Sequence, residues 1–201
     1  MSSPIIIYTV GHSAHTIEKF LDLLERNGVT AIADVRSSPF SSHNPQFNKD
    51  TLSAELKKRG IAYVFVGKEL GARPGDPSCY EGGKVRYARL AKTSLFKAGI
   101  ERVLSGAQKY RIALMCAEKE PLDCHRTLLV SRALEQRGVS VVHILADGST
   151  ESQEQTMLRL VDQEGLRQLE LFRSYDKSRI DDQLVARACE KREERIAYVD
   201  Q

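Results

Sequence analysis

Cysteine is scarce in this sequence: Cys79, Cys116, Cys124 and Cys189 are all there is. Four thiols in 201 residues exclude a disulfide-scaffolded domain, and with no secretory pattern at the N-terminus they are expected to stay reduced, in the cytoplasm. Long apolar runs are lacking too. The longest, around 5–7 and 112–116, fall far short of the ~20 residues that cross a bilayer, so no membrane partner is predicted. Charge of one sign is also missing, since 30 basic against 27 acidic residues leave +3. That balance gives no overall attraction to nucleic acid, and no like-charged block forms a tail. Internal repeats and low-complexity linkers are absent as well.

What is present is enough apolar residue, 41 %, for one buried core but hardly for two. The expectation is a single α/β domain over residues 1–201, with 150–201 as a C-terminal helical extension packed on it. Strand-like runs at 5–10, 31–35, 62–66, 111–116 and 140–145 alternate with helix-like ones, the pattern of parallel strands covered by helices. Thr16 can cap the first helix, which ends near Asn27-Gly28. Others are predicted at 50–59, 86–104, 123–137, 151–162 and 178–198. Residues 67–84 hold so many glycines and prolines that they read as a long loop. The predicted fold is a three-layer, Rossmann-like domain on a five-stranded, mostly parallel sheet.

In such sheets ligands bind beyond the carboxyl ends of the strands. Four strand exits carry reactive or backbone-special residues: Gly11-His12-Ser13, Asp34-Val35-Arg36-Ser37, Leu70-Gly71-Ala72-Arg73-Pro74, and Cys116. The densest stretch runs from Cys116 through Glu118, Glu120 and Asp123 to Cys124-His125-Arg126. If Asp123 caps the helix, Cys124, His125 and Arg126 occupy its first turn, where unpaired N–H groups favour an anion and lower a thiol pKa. Cys124 or Cys116 is then the candidate nucleophile or redox thiol, the other its resolving partner. His125 or His12 is the candidate acid/base, with Asp34 beside them in the catalytic set. Ser13, Arg36, Arg73 and Arg126 are the candidate contacts for an anionic small molecule or nucleotide. The plainer alternatives are cysteines that only pack, and arginines tied to Asp34, Asp76 and Asp123. His15 and His143 read as structural.

A metal site needs separate weighing. Cys116, Cys124 and His125, with His12 or His43, offer soft ligands, but Cys-x7-Cys-His matches no standard zinc spacing. Adjacent Cys124 and His125 on a helix would point roughly 100° apart. No residue is assigned as a metal ligand, a Cys/His metal-binding protein stays a further alternative, and the sequence leaves the cofactor open. Tyr63, Tyr80, Tyr87, Phe40, His43 and Phe47, near Arg36 and Lys49, supply a rival from another class: a non-catalytic module that stacks bases and neutralises phosphates, serving DNA or RNA maintenance.

Five ordered motifs carry a resemblance. Thr9-Val10-Gly11-His12-Ser13, Asp34-Val35-Arg36-Ser37, Asn44-Pro45-Gln46-Phe47, Leu70-Gly71-Ala72-Arg73-Pro74 and Cys116 through Arg126 together resemble the domain of unknown function 488 family, from about residue 5 to 145. The tail resembles that of its longer members. The resemblance implies an α/β fold with a cysteine-containing site and brings no substrate or reaction. Members usually carry Gly-Gly-Arg-Pro where this chain has Gly71-Ala72-Arg73-Pro74, one flexible position fewer. A looser likeness, to rhodanese-type sulfurtransferases, extends to layout only: ten residues bearing Glu118, Glu120 and Asp123 stand where a short glycine-rich cradle would be needed.

Overall fold

In the computed structural model, which describes residues 5–167 and 181–200, the middle of the sheet is built from the most apolar runs of the sequence. The elements, in chain order, are β1 (Ile6–Gly11), α1 (Ile17–Arg26), β2 (Ala31–Asp34), α2 (Lys49–Lys58), β3 (Ala62–Phe65) and α3 (Gly67–Leu70). A short hairpin of β4 (Tyr80–Glu81) and β5 (Lys84–Val85) leads to α4 (Tyr87–Leu90), α5 (Ser94–Ala107) and β6 (Ile112–Cys116). A π-helical stretch, Arg126–Ser131, then runs into α6 (Arg132–Glu135), followed by β7 (Ser140–Ile144), β8 (Thr150–Ser152), α7 (Gln153–Gln163) and α8 (Asp182–Ile196). The central sheet has the order β3-β2-β6-β1-β7-β8, parallel except for β8.

Every residue of β6 is buried, and its pleat divides them between two cores. Ile112, Leu114 and Cys116 join the face covered by α5, α6, α7 and α8, while Ala113 and Met115 join the face covered by α1 and α2. Phe20 and Leu24 of α1 and Leu52 and Leu56 of α2 close that second face. These are the expected three layers.

Four sequence expectations are corrected. The sheet has six strands rather than five, because Thr150-Glu151-Ser152 pairs antiparallel with β7. Three polar residues give no strand periodicity, so the tail that was expected to be helical from 150 begins inside the central sheet. The helix that follows starts at Gln153 because Ser152 and Gln155 form a reciprocal capping box. The helix expected over 86–104 is two helices, since Thr93 turns out of α4 and caps α5 by accepting from the Phe96 N–H at 3.1 Å. The run 67–84 is not one loop: it contains α3, a 3-10 turn at Pro77–Cys79 and the hairpin, whose two-residue turn Gly82-Gly83 has the positive φ values (56° and 76°) that a tight hairpin demands. The last helix was expected from 178; residues 178–180 lie outside the described residues. From Asp182 it packs on α7, where Glu164 accepts from Arg192 Nε at 3.0 Å and also from Arg195.

Candidate functional site

The carboxyl ends of β1, β2 and β6 lie side by side in the sheet and open into a cleft of about 290 Å3. Its walls include His12, Arg36, Ser37, Arg73, Cys116, Glu118 and His125.

One side of the cleft is set by a buried ion pair. Asp34, at the end of β2, accepts from Arg36 Nε at 2.9 Å and Nη2 at 2.6 Å, from the Arg36 backbone N–H at 3.1 Å, and from the Tyr63 hydroxyl at 2.7 Å. Arg36 also donates to the Phe47 carbonyl at 2.9 Å. Burial, with the Asp34 charge beside it, pushes the Tyr63 phenol far up. His12 completes the cluster. Its Nδ1–H donates to the Ser13 carbonyl at 2.8 Å, leaving Nε2 to accept from Arg36 Nη1 at 3.3 Å, and its ring stacks on Phe47 at 4.4 Å. Burial lowers its pKa to about 4, so the ring is neutral at pH 7. Ser13 contributes backbone, held at φ 48° with its N–H on the Ala117 carbonyl at 2.9 Å. Arg73 sits at the rim, its backbone N–H donating to Ser37 Oγ at 3.0 Å and its guanidinium lying 4.5 Å over the Tyr198 ring.

The other side is a sulfur cluster. Cys116 is 3 % exposed and faces the cleft; Cys124 is 1 % exposed, lies outside the cleft lining and sits behind it. His125 Nδ1 is 3.8 Å from the Cys116 sulfur and 3.9 Å from the Cys124 sulfur, and its Nε2–H donates to the Val35 carbonyl at 3.1 Å. Glu118 is exposed to the cleft, yet its carboxyl group turns inward to within 3.0 Å of Cys124 Sγ.

The expected cap is corrected here. Asp123 belongs to a 3-10 turn, Pro121–Asp123, and pairs with Arg192 at 2.9 Å. Cys124 is the extended residue that precedes the helix, so the thiol itself takes the capping position, accepting from the Arg126 N–H at 3.4 Å. The assignment of Arg126 to substrate is corrected too. It is wholly buried, its Nη1 donates to the Glu118 carbonyl at 2.7 Å and its Nη2 to the Lys119 carbonyl at 3.3 Å, and it does not line the cleft. Gly11 was expected to admit a ligand. What it admits is the chain itself, since a Cβ there would stand 1.9 Å from the Glu118 carbonyl oxygen.

The electrostatics follow from this crowding. Cys116 is held well above the ordinary thiol range by hydrogen bonding to Cys124 and by burial. Burial opposes ionisation of Cys124 as well, but the Cys116 thiol, the Arg126 guanidinium and His125 outweigh it and hold Cys124 well below that range. Loss of water around the Glu118 carboxyl, with negative charge at Cys124, raises its pKa. Burial likewise opposes charge on His125, which Cys124 and Glu118 overcome, raising its pKa.

The structure thus brings His12, Arg36, Arg73, Cys116 and His125 to the cleft, and places Asp34, Cys124 and Arg126 behind it as supports. Glu118 escaped the sequence reading, which saw only a repelling carboxylate; the available signal was its position two residues beyond Cys116, at the exit of the same strand. The expectation that Cys124 and His125 diverge is also overturned, because Cys124 is extended rather than helical. Cys116 Sγ, Cys124 Sγ and a His125 nitrogen lie within 4.8 Å of one another, so these three residues can hold a metal ion. The fourth ligands considered do not join them: both His12 nitrogens are engaged within its own cluster, and His43 contacts Ser42 on an exposed loop. Of the aromatic residues, Tyr87 is buried and Tyr80 donates to the Pro74 carbonyl at 2.8 Å, while Phe40 stands 61 % exposed at the rim.

The sequence profile described as Domain of unknown function DUF488 matches residues 16–133, more than half of the chain. The chain belongs to the DUF488 family. The DUF488 match takes in Asp34, Arg36, Arg73, Cys116 and Cys124-His125-Arg126, and stops short of His12, Ser13, β7 and everything after it. Yet β1, the strand that delivers His12, lies at the middle of the sheet of this DUF488 chain. No curated protein and no solved structure matches it significantly. Among the described residues, no helix is long and apolar enough to cross a membrane.

Proposed function

We propose that the cleft is the active site of an enzyme that acts on an anionic or nucleotide-like small molecule through the sulfur of Cys116. The observation that carries this reading is the arrangement of Cys116 Sγ at the cleft with His125 Nδ1 3.8 Å away and a second thiol, Cys124, behind. Cys124 and His125 are the two groups placed to accept the Cys116 proton as its sulfur attacks. Arg36 and Arg73 orient the anion. Asp34 and His12 act through Arg36, whose fork they fix, rather than on substrate, and Arg126 anchors the segment that carries Glu118. Such chemistry belongs in a reducing compartment, the cytoplasm.

Paired alkylating agents test both halves of the proposal. Negatively charged iodoacetate is expected to modify Cys116 in preference to neutral iodoacetamide, after correction for their intrinsic rates, and Arg73→Ala is expected to remove the preference. Equal corrected rates in the wild-type protein would remove the anion from the proposal. A second reading, a metal centre, is favoured by the three donor atoms within 4.8 Å; stoichiometric zinc or iron in the purified protein would replace the thiol mechanism with it. The nucleic-acid alternative rests on Phe40 and Arg73 at the rim. It predicts salt-dependent oligonucleotide binding that is weakened by Arg73→Ala and indifferent to the cysteines.

A further inference from the structure

We propose that Cys116 and Cys124 are a dithiol that cycles through a disulfide, with Glu118 as the group that takes and returns the proton of Cys124. This rests on the thiol reading above and extends it to a reaction class: two-electron exchange with an anionic low-molecular-weight disulfide.

Three observations converge on it. First, the two sulfurs are within 4.8 Å of each other, and they are unequal in access: Cys116 faces the cleft, whereas Cys124 is shielded behind it. That is the division of labour a resolving pair needs, one sulfur to meet the substrate and one to meet only the first sulfur. Second, the Glu118 carboxyl contacts Cys124 at 3.0 Å and Glu118 is itself a residue of the cleft wall, so this residue connects the interior thiol to the space that a leaving group would occupy. Cys124 Sγ donates to the Glu118 carboxylate in this contact, so the pair holds one proton that can pass between them. Third, Arg126 is wholly buried, and among the described residues its guanidinium finds two carbonyls but no carboxylate in ion-pair contact. Its backbone N–H points at Cys124 from the first turn of the helix, where an anionic sulfur is favoured. The remaining cysteines stand apart from this cluster: Cys79 is buried in a 3-10 turn, and Cys189 packs against Met157.

The steps balance. The Cys116 sulfur attacks one sulfur of the external disulfide, the S–S bond breaks, and the departing thiolate takes up the proton that Cys116 gives up. The proton shared by Cys124 and Glu118 moves fully to Glu118, and the Cys124 sulfur attacks Cys116 Sγ. The second thiolate leaves with the Glu118 proton. One external disulfide has become two thiols, and the protein has lost two electrons and two protons to form the Cys116–Cys124 bond. Two equivalents of an external thiol reverse the sequence.

The test uses the full chain, analysed for metal, reduced and then exposed to oxidised glutathione as the probe, with peptide mapping under non-reducing conditions. The wild-type protein is expected to lose the mass of two hydrogens and to yield a peptide pair linked through Cys116 and Cys124. Cys124→Ser, and Cys124→Ala as a second variant, should instead retain one glutathione on Cys116. Glu118→Gln should acquire that glutathione at the wild-type rate but resolve it about a hundredfold more slowly, the usual scale for loss of a proton-transfer group. If Cys116 takes up glutathione and the wild-type protein never forms the internal link, the dithiol is overturned and the thiol reading stands. If Cys116 takes up nothing, or if a tightly held metal occupies the cluster, both fall. Resolution at the wild-type rate in Glu118→Gln would overturn the role of that residue alone.

Discussion

The backbone N–H of Arg126 points at the sulfur of Cys124 from 3.4 Å, while the guanidinium of the same arginine holds the carbonyls of Glu118 and Lys119. One buried residue thus fixes both the sulfur and the segment that lies over β1. Lysine, with a single point of charge, cannot reach both carbonyls. Arg126→Lys is expected to lower stability by about 2–4 kcal/mol, measured by urea unfolding, and to slow alkylation of Cys116. Unchanged stability would mean that the two carbonyl contacts contribute nothing.

Asp34→Asn leaves Arg36 buried opposite a neutral amide. The expected cost is about 3–5 kcal/mol, because an unpaired buried charge is left behind. Tyr63→Phe removes one hydrogen bond from the same carboxylate and should cost about 1 kcal/mol. Because both changes act on one carboxylate, the double variant should lose less than the sum of the two, a departure that a double-mutant cycle detects.

Gly11→Ala would press a methyl group into the Glu118 carbonyl, 1.9 Å from the position of its Cβ. Neither is the end of a flexible side chain, so the 117–119 segment must lift away. A loss of about 2 kcal/mol or more is expected, together with slower reaction at Cys116. Gly75→Ala, with nothing within 4 Å of its Cβ, is the control and should stay within about 0.5 kcal/mol of wild type.

Acid sensitivity should come in part from two buried histidines. His143 accepts from Thr9 Oγ1 at 2.7 Å and donates to Gln153 Oε1 at 2.6 Å, and burial lowers its pKa to about 4; His12 is lowered by burial to about 4 as well. In the unfolded chain both titrate near ~6.5. As pH falls below that value the unfolded chain binds protons first, so stability present above ~6.5 is lost progressively down to about 4, by up to about 3 kcal/mol for each ring. Urea midpoints measured from pH 7 to 4 should fall, and His143→Gln should flatten the slope. A slope unaltered by that change would remove His143 from the account.

Much of the fold was legible because β1, β6 and β7 are apolar runs with few alternatives, and because Thr16 and Gly28 punctuate α1 with ordinary cap chemistry. The short pieces were not. β8 is specified by its pairing with β7, and the break between α4 and α5 by a single threonine, neither of which produces periodicity. In the site, the strand-exit rule pointed to His12, Arg36, Arg73 and Cys116, which line one cleft. It could not separate groups that face the cleft from groups that support it, since Arg126 and Arg36 look alike in sequence and differ only in which way the chain turns. The cap was misplaced by one residue. That single position moves Cys124 from the helix to its threshold and turns its sulfur toward Cys116, His125 and Glu118.

Alkylation resolved cysteine by cysteine tests the central claim most directly. On the reduced, metal-free protein, Cys116 is expected to react well ahead of Cys79 and Cys189, which are packed in the core. If Cys116 reacts no faster than those two, the cleft does not present an active sulfur, and the thiol account is wrong.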